Sequence, residues 1–243
     1  MDTLEYAGSE ITDGKLHELR GQPQLRTLVI WGGSLSQRQL GLIGELPQLR
    51  GLVLGEMPVD DSVFAHLARL TNLEYLNLAY TKVSRGFGML RELPLSDVRV
   101  EGCLKFDDDA MQDLAAFPAL RHLEAHITSV SDKGVQAIAA LPLEVLWLGP
   151  KVTDACAASI ATMTTLRHLD ICAPGITDAA LPELTRLTNL QALWLSGTCI
   201  SDAGVETLGR MQWLRELSVS YTGISLEGRQ RLAAALPDCR VIA

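Results

Sequence analysis

The sequence has no run of Lys and Arg: 21 basic residues are scattered among 29 acidic ones, for a formal charge of −8. Nucleic-acid affinity rests on clustered cations that displace counterions from phosphates, so this balance argues against that class of ligand. Nor is there a stretch of about 18 consecutive apolar residues, the least a membrane-spanning helix requires. The opening Met1-Asp2-Thr3-Leu4-Glu5 lacks the basic segment and apolar core of a secretory leader. The five cysteines, Cys103, Cys156, Cys172, Cys199 and Cys239, are odd in number and include no C-x-x-C pair. They signal neither a disulfide framework nor a structural zinc site. The expectation is a cytoplasmic location with reduced thiols, secretion by a route independent of a signal peptide being left open. No G-x-x-x-x-G-K-[ST] loop is present to cradle a phosphate. Aromatic residues are only 5% of the chain, so their placement carries information.

What is present is a foldable composition, 47% hydrophobic and 21% charged, and leucine at fixed intervals. With Leu25 as position 1, equivalent positions follow at Leu49, Leu73, Leu95, Leu120, Leu143, Leu166, Leu190 and Leu214. The spacings run from 22 to 25 residues; Met1 opens an earlier copy and Cys239 a partial last one. Position 4 is always apolar and position 6 mostly so, which puts both on one face of a short strand. An apolar residue in the following turn precedes Thr12, Ser36, Asp60, Ser84, Asp107, Ser131, Thr153, Thr177, Ser201 or Ser225. All ten can accept from the free N–H groups of a helix's first turn. Asp often comes next, suiting the positive end of the helix. Pairs such as Leu16/Leu19, Phe64/Leu67 and Val205/Leu208 mark the buried side of each helix, and Pro, Thr or Gln ends it. A single unit of this kind cannot bury its own apolar face, whereas a stack of them can.

The stretch Thr188-Asn189-Leu190-Gln191-Ala192-Leu193-Trp194-Leu195-Ser196-Gly197-Thr198-Cys199-Ile200-Ser201-Asp202-Ala203-Gly204-Val205 resembles the bacterial leucine-rich repeat written L-x-x-L-x-L-x-x-T-x-I-[ST]-D-x-G. Such units are similar to the ribonuclease-inhibitor and F-box-associated class. The resemblance covers essentially the whole chain and implies an α/β leucine-rich repeat solenoid. The expected shape is a curved right-handed horseshoe segment of about ten repeats, with a concave parallel sheet and short convex helices. Residues 1–243 are expected to form one domain, with 226–243 as a C-terminal cap. The resemblance implies a protein-recognition scaffold without naming a partner. It leaves two alternatives open: a structural spacer, or a fragment of a larger multidomain protein such as a secreted bacterial effector.

In this fold positions 3, 5 and 7 point out of the concave sheet, with position 8 at the rim. Three of the four tryptophans fall there (Trp31, Trp147, Trp194), as do three of the four tyrosines (Tyr75, Tyr80, Tyr221) and three of the five histidines (His122, His126, His168). Aromatics ringed by polar groups are the usual make-up of interface hot spots, here with Asn77, Arg99, Glu101, Glu124 and Asp170. Covering of neighbouring residues by wide side chains is the plainer alternative. His122, Glu124 and His126 alternate on one strand, which sets the outer pair about 13 Å apart at the backbone, too far to share one metal. His168, Asp170 and Cys172 form a similar set roughly 10 Å away, beyond the strand of Trp147. A Cys172–His168 nucleophile pair would lack an orienting third group and an oxyanion pocket. The expectation is therefore a monomeric protein-binding module with a protein partner, no nucleic acid or membrane ligand, no cofactor and no catalysis. Two slips in register stand out: an extra residue near Cys103-Leu104-Lys105-Phe106, and a missing one at Gly149-Pro150-Lys151. Such irregularities are often where a repeat protein shapes its binding edge.

Overall fold

The computed structural model describes residues 2–242; Met1 and Ala243, at the two ends of the repeat register, lie outside the described residues. Eleven strands form a single parallel sheet in strict chain order. They are β1 (Thr3–Ala7), β2 (Thr27–Trp31), β3 (Gly51–Gly55), β4 (Tyr75–Asn77), β5 (Asp97–Arg99), β6 (His122–Ala125), β7 (Val145–Leu148), β8 (His168–Ile171), β9 (Ala192–Trp194), β10 (Glu216–Ser218) and β11 (Arg240–Ile242). Each strand pairs with the next without offset, so position 4 makes one unbroken column. It runs Leu28, Leu52, Leu76, Val98, Leu123, Leu146, Leu169, Leu193, Leu217 and Val241. β11 joins it through Val241, which places position 1 of the last copy at Asp238, one residue before the expected Cys239. These leucines and the position-6 residues are almost wholly buried against the helical side, in one continuous core. The sheet lines the concave side of a leucine-rich repeat horseshoe and short helices flank it on the convex side.

The convex elements are α1 (Asp13–Arg20), α2 (Gln37–Ile43), α3 (Phe64–Leu67), α4 (Asp108–Leu114), α5 (Asp132–Ala137), α6 (Ala157–Ala161), α7 (Leu181–Leu184), α8 (Val205–Gly209) and α9 (Leu226–Ala235). Several begin with one tight 3₁₀ turn, which lets a very short helix start within a 23- or 24-residue unit. Nine of the ten expected cap residues accept a backbone N–H from the turn they precede. Ser84 does not. Its repeat is the 22-residue one, and there the convex side is only a 3₁₀ turn, Phe87–Leu90, entered through Gly86 at φ 107°. Too little chain remains for an α-helix.

The Asp that follows the cap does more than favour a helix dipole. Asp61, Asp108, Asp132, Asp154, Asp178 and Asp202 each accept the backbone N–H of the next repeat's cap residue, at 2.6–2.9 Å. The first five also accept that residue's hydroxyl at 2.6–2.7 Å. This ladder explains the glycine of the S/T-D-x-G motif as well. A methyl group on Gly134, Gly204 or Gly228 would run into the carboxylate of Asp108, Asp178 or Asp202. Arg85, like Gln37 and Leu226, stands where the other units carry Asp, and the ladder breaks there; Arg85 pairs with Asp109 at 2.8 Å instead.

Phenylalanine compensates for the irregular units. All four phenylalanines, Phe64, Phe87, Phe106 and Phe117, are buried in or beside them. Phe87 packs against Phe64 at 4.7 Å between ring centroids and edge-on against Phe106 at 5.5 Å. Their bulk fills the space that the missing helix of the 22-residue repeat leaves behind.

Two predictions follow from this packing. Phe87→Ala is expected to cost about 3–5 kcal/mol in urea unfolding, because the 3₁₀ turn has no side chain to collapse into the void. Asp178→Ala, which removes two charge-assisted hydrogen bonds, is expected to cost roughly 1–3 kcal/mol; a change within error would deny the ladder a part in stability. The ladder also sets an acid limit. Hydrogen bonding from Ser225 holds the Asp202 carboxyl below its usual value. A depressed carboxyl stabilises the fold above its unfolded pKa and loses that effect as pH falls through the folded one. Melting temperature between pH 5 and pH 2 should therefore fall less steeply in Asp202→Asn than in the wild type.

Candidate binding face

In-register pairing turns the outward positions into rows that cross the strands. One row runs Glu124, Trp147, Asp170, Trp194 and another His122, Val145, His168, Ala192. Behind most strands the chain turns sharply, and in seven of the ten repeats position 8 takes a left-handed conformation to do so, Gly8, Pro150 and Ala173 being the exceptions. Gly32, Gly102 and Gly197 adopt it freely, but Glu56 (φ 56°), Tyr80 (φ 57°), Ile127 (φ 52°) and Tyr221 (φ 56°) also adopt it. A side chain there costs on the order of 1–2 kcal/mol. Three of these four are large, exposed hydrophobics at the rim: Tyr80 49%, Ile127 48% and Tyr221 90%.

The middle of the face carries two connected clusters. In the first, Arg99 bonds Asp97 through two nitrogens at 3.1 Å and reaches Glu124 at 3.2 Å. Glu124, almost fully buried, also accepts from His122 Nε2 at 2.8 Å. Arg99 lies over the Tyr75 ring, whose hydroxyl accepts from Asn77 Nδ2 at 3.3 Å, while Asn77 Oδ1 accepts the Ala79 N–H. These groups mostly satisfy one another, so the cluster is a rigid polar floor. In the second, Trp147 stacks on His126 at 5.4 Å and 22° and faces Trp194 at 6.0 Å. His122 stands 6.2 Å from Trp147 and joins the clusters. The Trp194 indole donates to Glu216 at 2.7 Å, whereas Trp147 Nε1 is buried with no protein acceptor. His126 Nε2 lies 3.5 Å from Asp170 Oδ2, too long for a good hydrogen bond.

The two histidine strands keep the strand of Trp147 between them as expected, and it is the side chains of His126 on the β6 turn and Asp170 on β8 that meet across it. The other expected residues divide by position. His168 is exposed, Tyr221 stands far along the rim, and Trp31 sits on β2. Trp31 and Tyr80 prove to have packing partners: a methyl group on Gly55 would overlap the Trp31 ring, and one on Gly102 the Tyr80 ring. Tyr80 also donates to Glu101 at 2.8 Å.

Asp97 and Glu216, at outward position 3, and Ile127 and Pro150, at rim position 8, join the site without having been singled out by residue type. The last two line a hollow of about 390 Å³ with Glu101, His126, Asp170 and Cys172. A second hollow, of about 510 Å³, is lined by Tyr80, Lys82, Gly102, Leu104 and Lys105. Both open at the two register slips, which were the available signal for them.

Among the described residues no group of three or more His, Cys, Asp or Glu converges to hold a metal ion, and no helix is long and apolar enough to cross a membrane. Burial pushes the Cys156 thiol up to about 12 and raises that of Cys103, while Cys172 and Cys199 are exposed. A thiol reagent should therefore modify Cys172 and Cys199 in the folded protein, and Cys103 and Cys156 only after unfolding, as peptide mapping would report. Modification of Cys156 at the native rate would contradict the packing.

The leucine-rich repeat family model matches residues 186–209 and 210–233. No curated protein matches the chain. Among solved structures, the fold is similar to internalin C2 of Listeria monocytogenes, with a TM-score of 0.58 at 19% identity over 86% of this chain and 84% of that one. It is also similar to the internalin inlF of the same organism, with a TM-score of 0.50 at 16% identity over 100% of this chain and 86% of that one. At these identities the likeness establishes the shared leucine-rich repeat fold. The cytoplasmic expectation does not stand beside these neighbours, both of which are internalins. That expectation rested on an acidic N-terminus and unpaired thiols, neither of which reports on where an array of this fold is used.

Proposed function

We propose that the chain is a protein–protein interaction module that holds a partner protein on its concave face and performs no catalysis. The observation that carries this reading is the contiguous aromatic surface of His122, His126, Trp147 and Trp194, with ring separations of 5.4–6.2 Å. All four remain partly exposed, and the Trp147 N–H has no acceptor within the chain. Large amphipathic rings on a rigid floor lose little entropy on binding, which is why such groups dominate interface energetics. Tyr75, Asn77, Arg99 and Glu124 form the polar floor beside them; Tyr80, Glu101, His168, Asp170 and Tyr221 edge the surface, and Trp31 marks its far end. The internalin-like fold supports a scaffold of this kind, and a charge of −8 favours a protein over a nucleic acid.

On the same reading the chain acts as a monomer without a cofactor, and residues 1–243 are one domain. Residues 226–243 are its C-terminal cap, a role supported by α9, the longest helix, and by β11 at the sheet edge. Within the leucine-rich repeats we place the chain nearest the ribonuclease-inhibitor and F-box-associated class, on the strength of its convex α-helices.

The test is affinity for a partner isolated from native lysate. Trp147→Ala and Trp194→Ala should each weaken binding by about 30-fold or more, the loss of a hot spot, with circular dichroism and melting unchanged. His17→Ala on α1 should have no effect. Unchanged binding in both tryptophan variants would exclude this face.

A further inference from the structure

The row that closes the central strands runs Glu101, His126, Gly149, Cys172, Ser196. Gly149 contributes no side chain, and the turn behind it is one residue short. A methyl group there would lie 2.9 Å from the Ile127 amide nitrogen, so backbone occupies the place a side chain would fill. The row is therefore interrupted between His126 and Cys172, and the hollow of about 390 Å³ opens at the gap. Most of its exposed wall is carbon, supplied in part by Ile127 and Pro150. Ile127 is a β-branched residue held in the left-handed region yet left half exposed, so folding alone does not account for it.

Two carboxylates, Glu101 and Asp170, line the hollow and no Lys or Arg does; its one imidazole, His126, stands 3.5 Å from Asp170 Oδ2. Elsewhere on the central face carboxylates have cations: Asp97 and Glu124 share Arg99, and Glu216 faces Arg240 at 3.5 Å. Neither Glu101 nor Asp170 has a Lys or Arg within ion-pair distance among the described residues. Glu101 holds the Tyr80 hydroxyl through Oε1, which leaves Oε2 for a further donor. The nearby Lys151 ammonium is held away on the turn, donating to Ser129 Oγ at 3.1 Å. Burial and then the Asp170 carboxylate raise the Cys172 thiol, so that carboxylate's field extends into the hollow.

We infer that this hollow receives one lysine or arginine side chain of the partner protein, its aliphatic stem against Ile127 and Pro150 and its cation between Glu101 and Asp170. The inference rests on the concave-face reading above and names the chemistry of the group that face holds. A carbon-walled hollow suits the stem of a long basic side chain, and the two carboxylates suit its head.

The probes are N-acetyl-arginine amide and N-acetyl-lysine amide, with N-acetyl-citrulline amide as the neutral isostere of the first. Binding is followed by the NMR signals of the Ile127 methyl groups and the Trp147 indole N–H, assigned with Ile127→Val and Trp147→Phe. At least one cationic probe should give saturable shifts in the millimolar range, and citrulline amide should bind about 10-fold more weakly or worse. Glu101→Gln/Asp170→Asn, with an unchanged melting temperature, should lose the response to both cations. Equal shifts from citrulline amide, no saturable shift from either cation, or an undiminished response in the double variant would overturn the assignment. If the tryptophan variants lose the partner while no cationic probe binds, the concave-face reading stands and this site falls. If a cationic probe binds while both tryptophan variants still hold the partner, the concave-face reading falls, and with it the assignment of the hollow to that partner.

Discussion

A unit of 22 to 25 residues with one short strand and one short helix has no interior. Its leucines leave water only when the next unit stacks on them, and they do so in every repeat at once only if each strand pairs with its equivalent at zero offset. A slip of one residue would turn a whole column of leucines toward solvent. The strands therefore hold register without exception, and every insertion or deletion is pushed into the turns and the convex side. This explains why units of unequal length can share one regular sheet.

The displaced irregularities have visible costs and remedies. The 22-residue unit loses its α-helix, and a chain of phenylalanines takes up the volume. Position 8 turns left-handed in seven repeats, four of them without glycine, so Glu56, Tyr80, Ile127 and Tyr221 bear strain at the rim. The two hollows of the concave edge lie at the two slips, because only there does the row of outward side chains lose its spacing. Binding features on this molecule are thus by-products of a stacking rule that the core obeys strictly.

Polar groups follow the same logic of neighbour-to-neighbour satisfaction. The Asp ladder ties six of the ten caps to the unit before them, so a residue chosen for one helix stabilises the junction between two. On the concave floor Arg99, Asp97, Glu124, His122, Tyr75 and Asn77 largely satisfy one another and present a stiff surface. Trp147, Glu101 and Asp170 are less completely paired, and this contrast separates scaffold from binding surface within a single sheet.

The solenoid, its strand columns, nine of ten helix caps and the outward positions were all legible in the sequence, because repetition reports each preference ten times over. The linear pattern could not show which outward residues touch. That Trp31 and Tyr80 lie on glycines of the next repeat, or that His126 reaches Asp170 across an intervening strand, depends on side-chain packing between units, which no single unit encodes. The S/T-D-x-G motif was readable as a cap, while its second role required knowing that a carboxylate of one repeat ends against the glycine of the next. Sequence determined which side of the sheet each residue faces, since alternation along a strand is local. Tertiary structure alone decided which of those residues are satisfied and which are left for a partner, since that depends on distances between units that the chain keeps about two dozen residues apart.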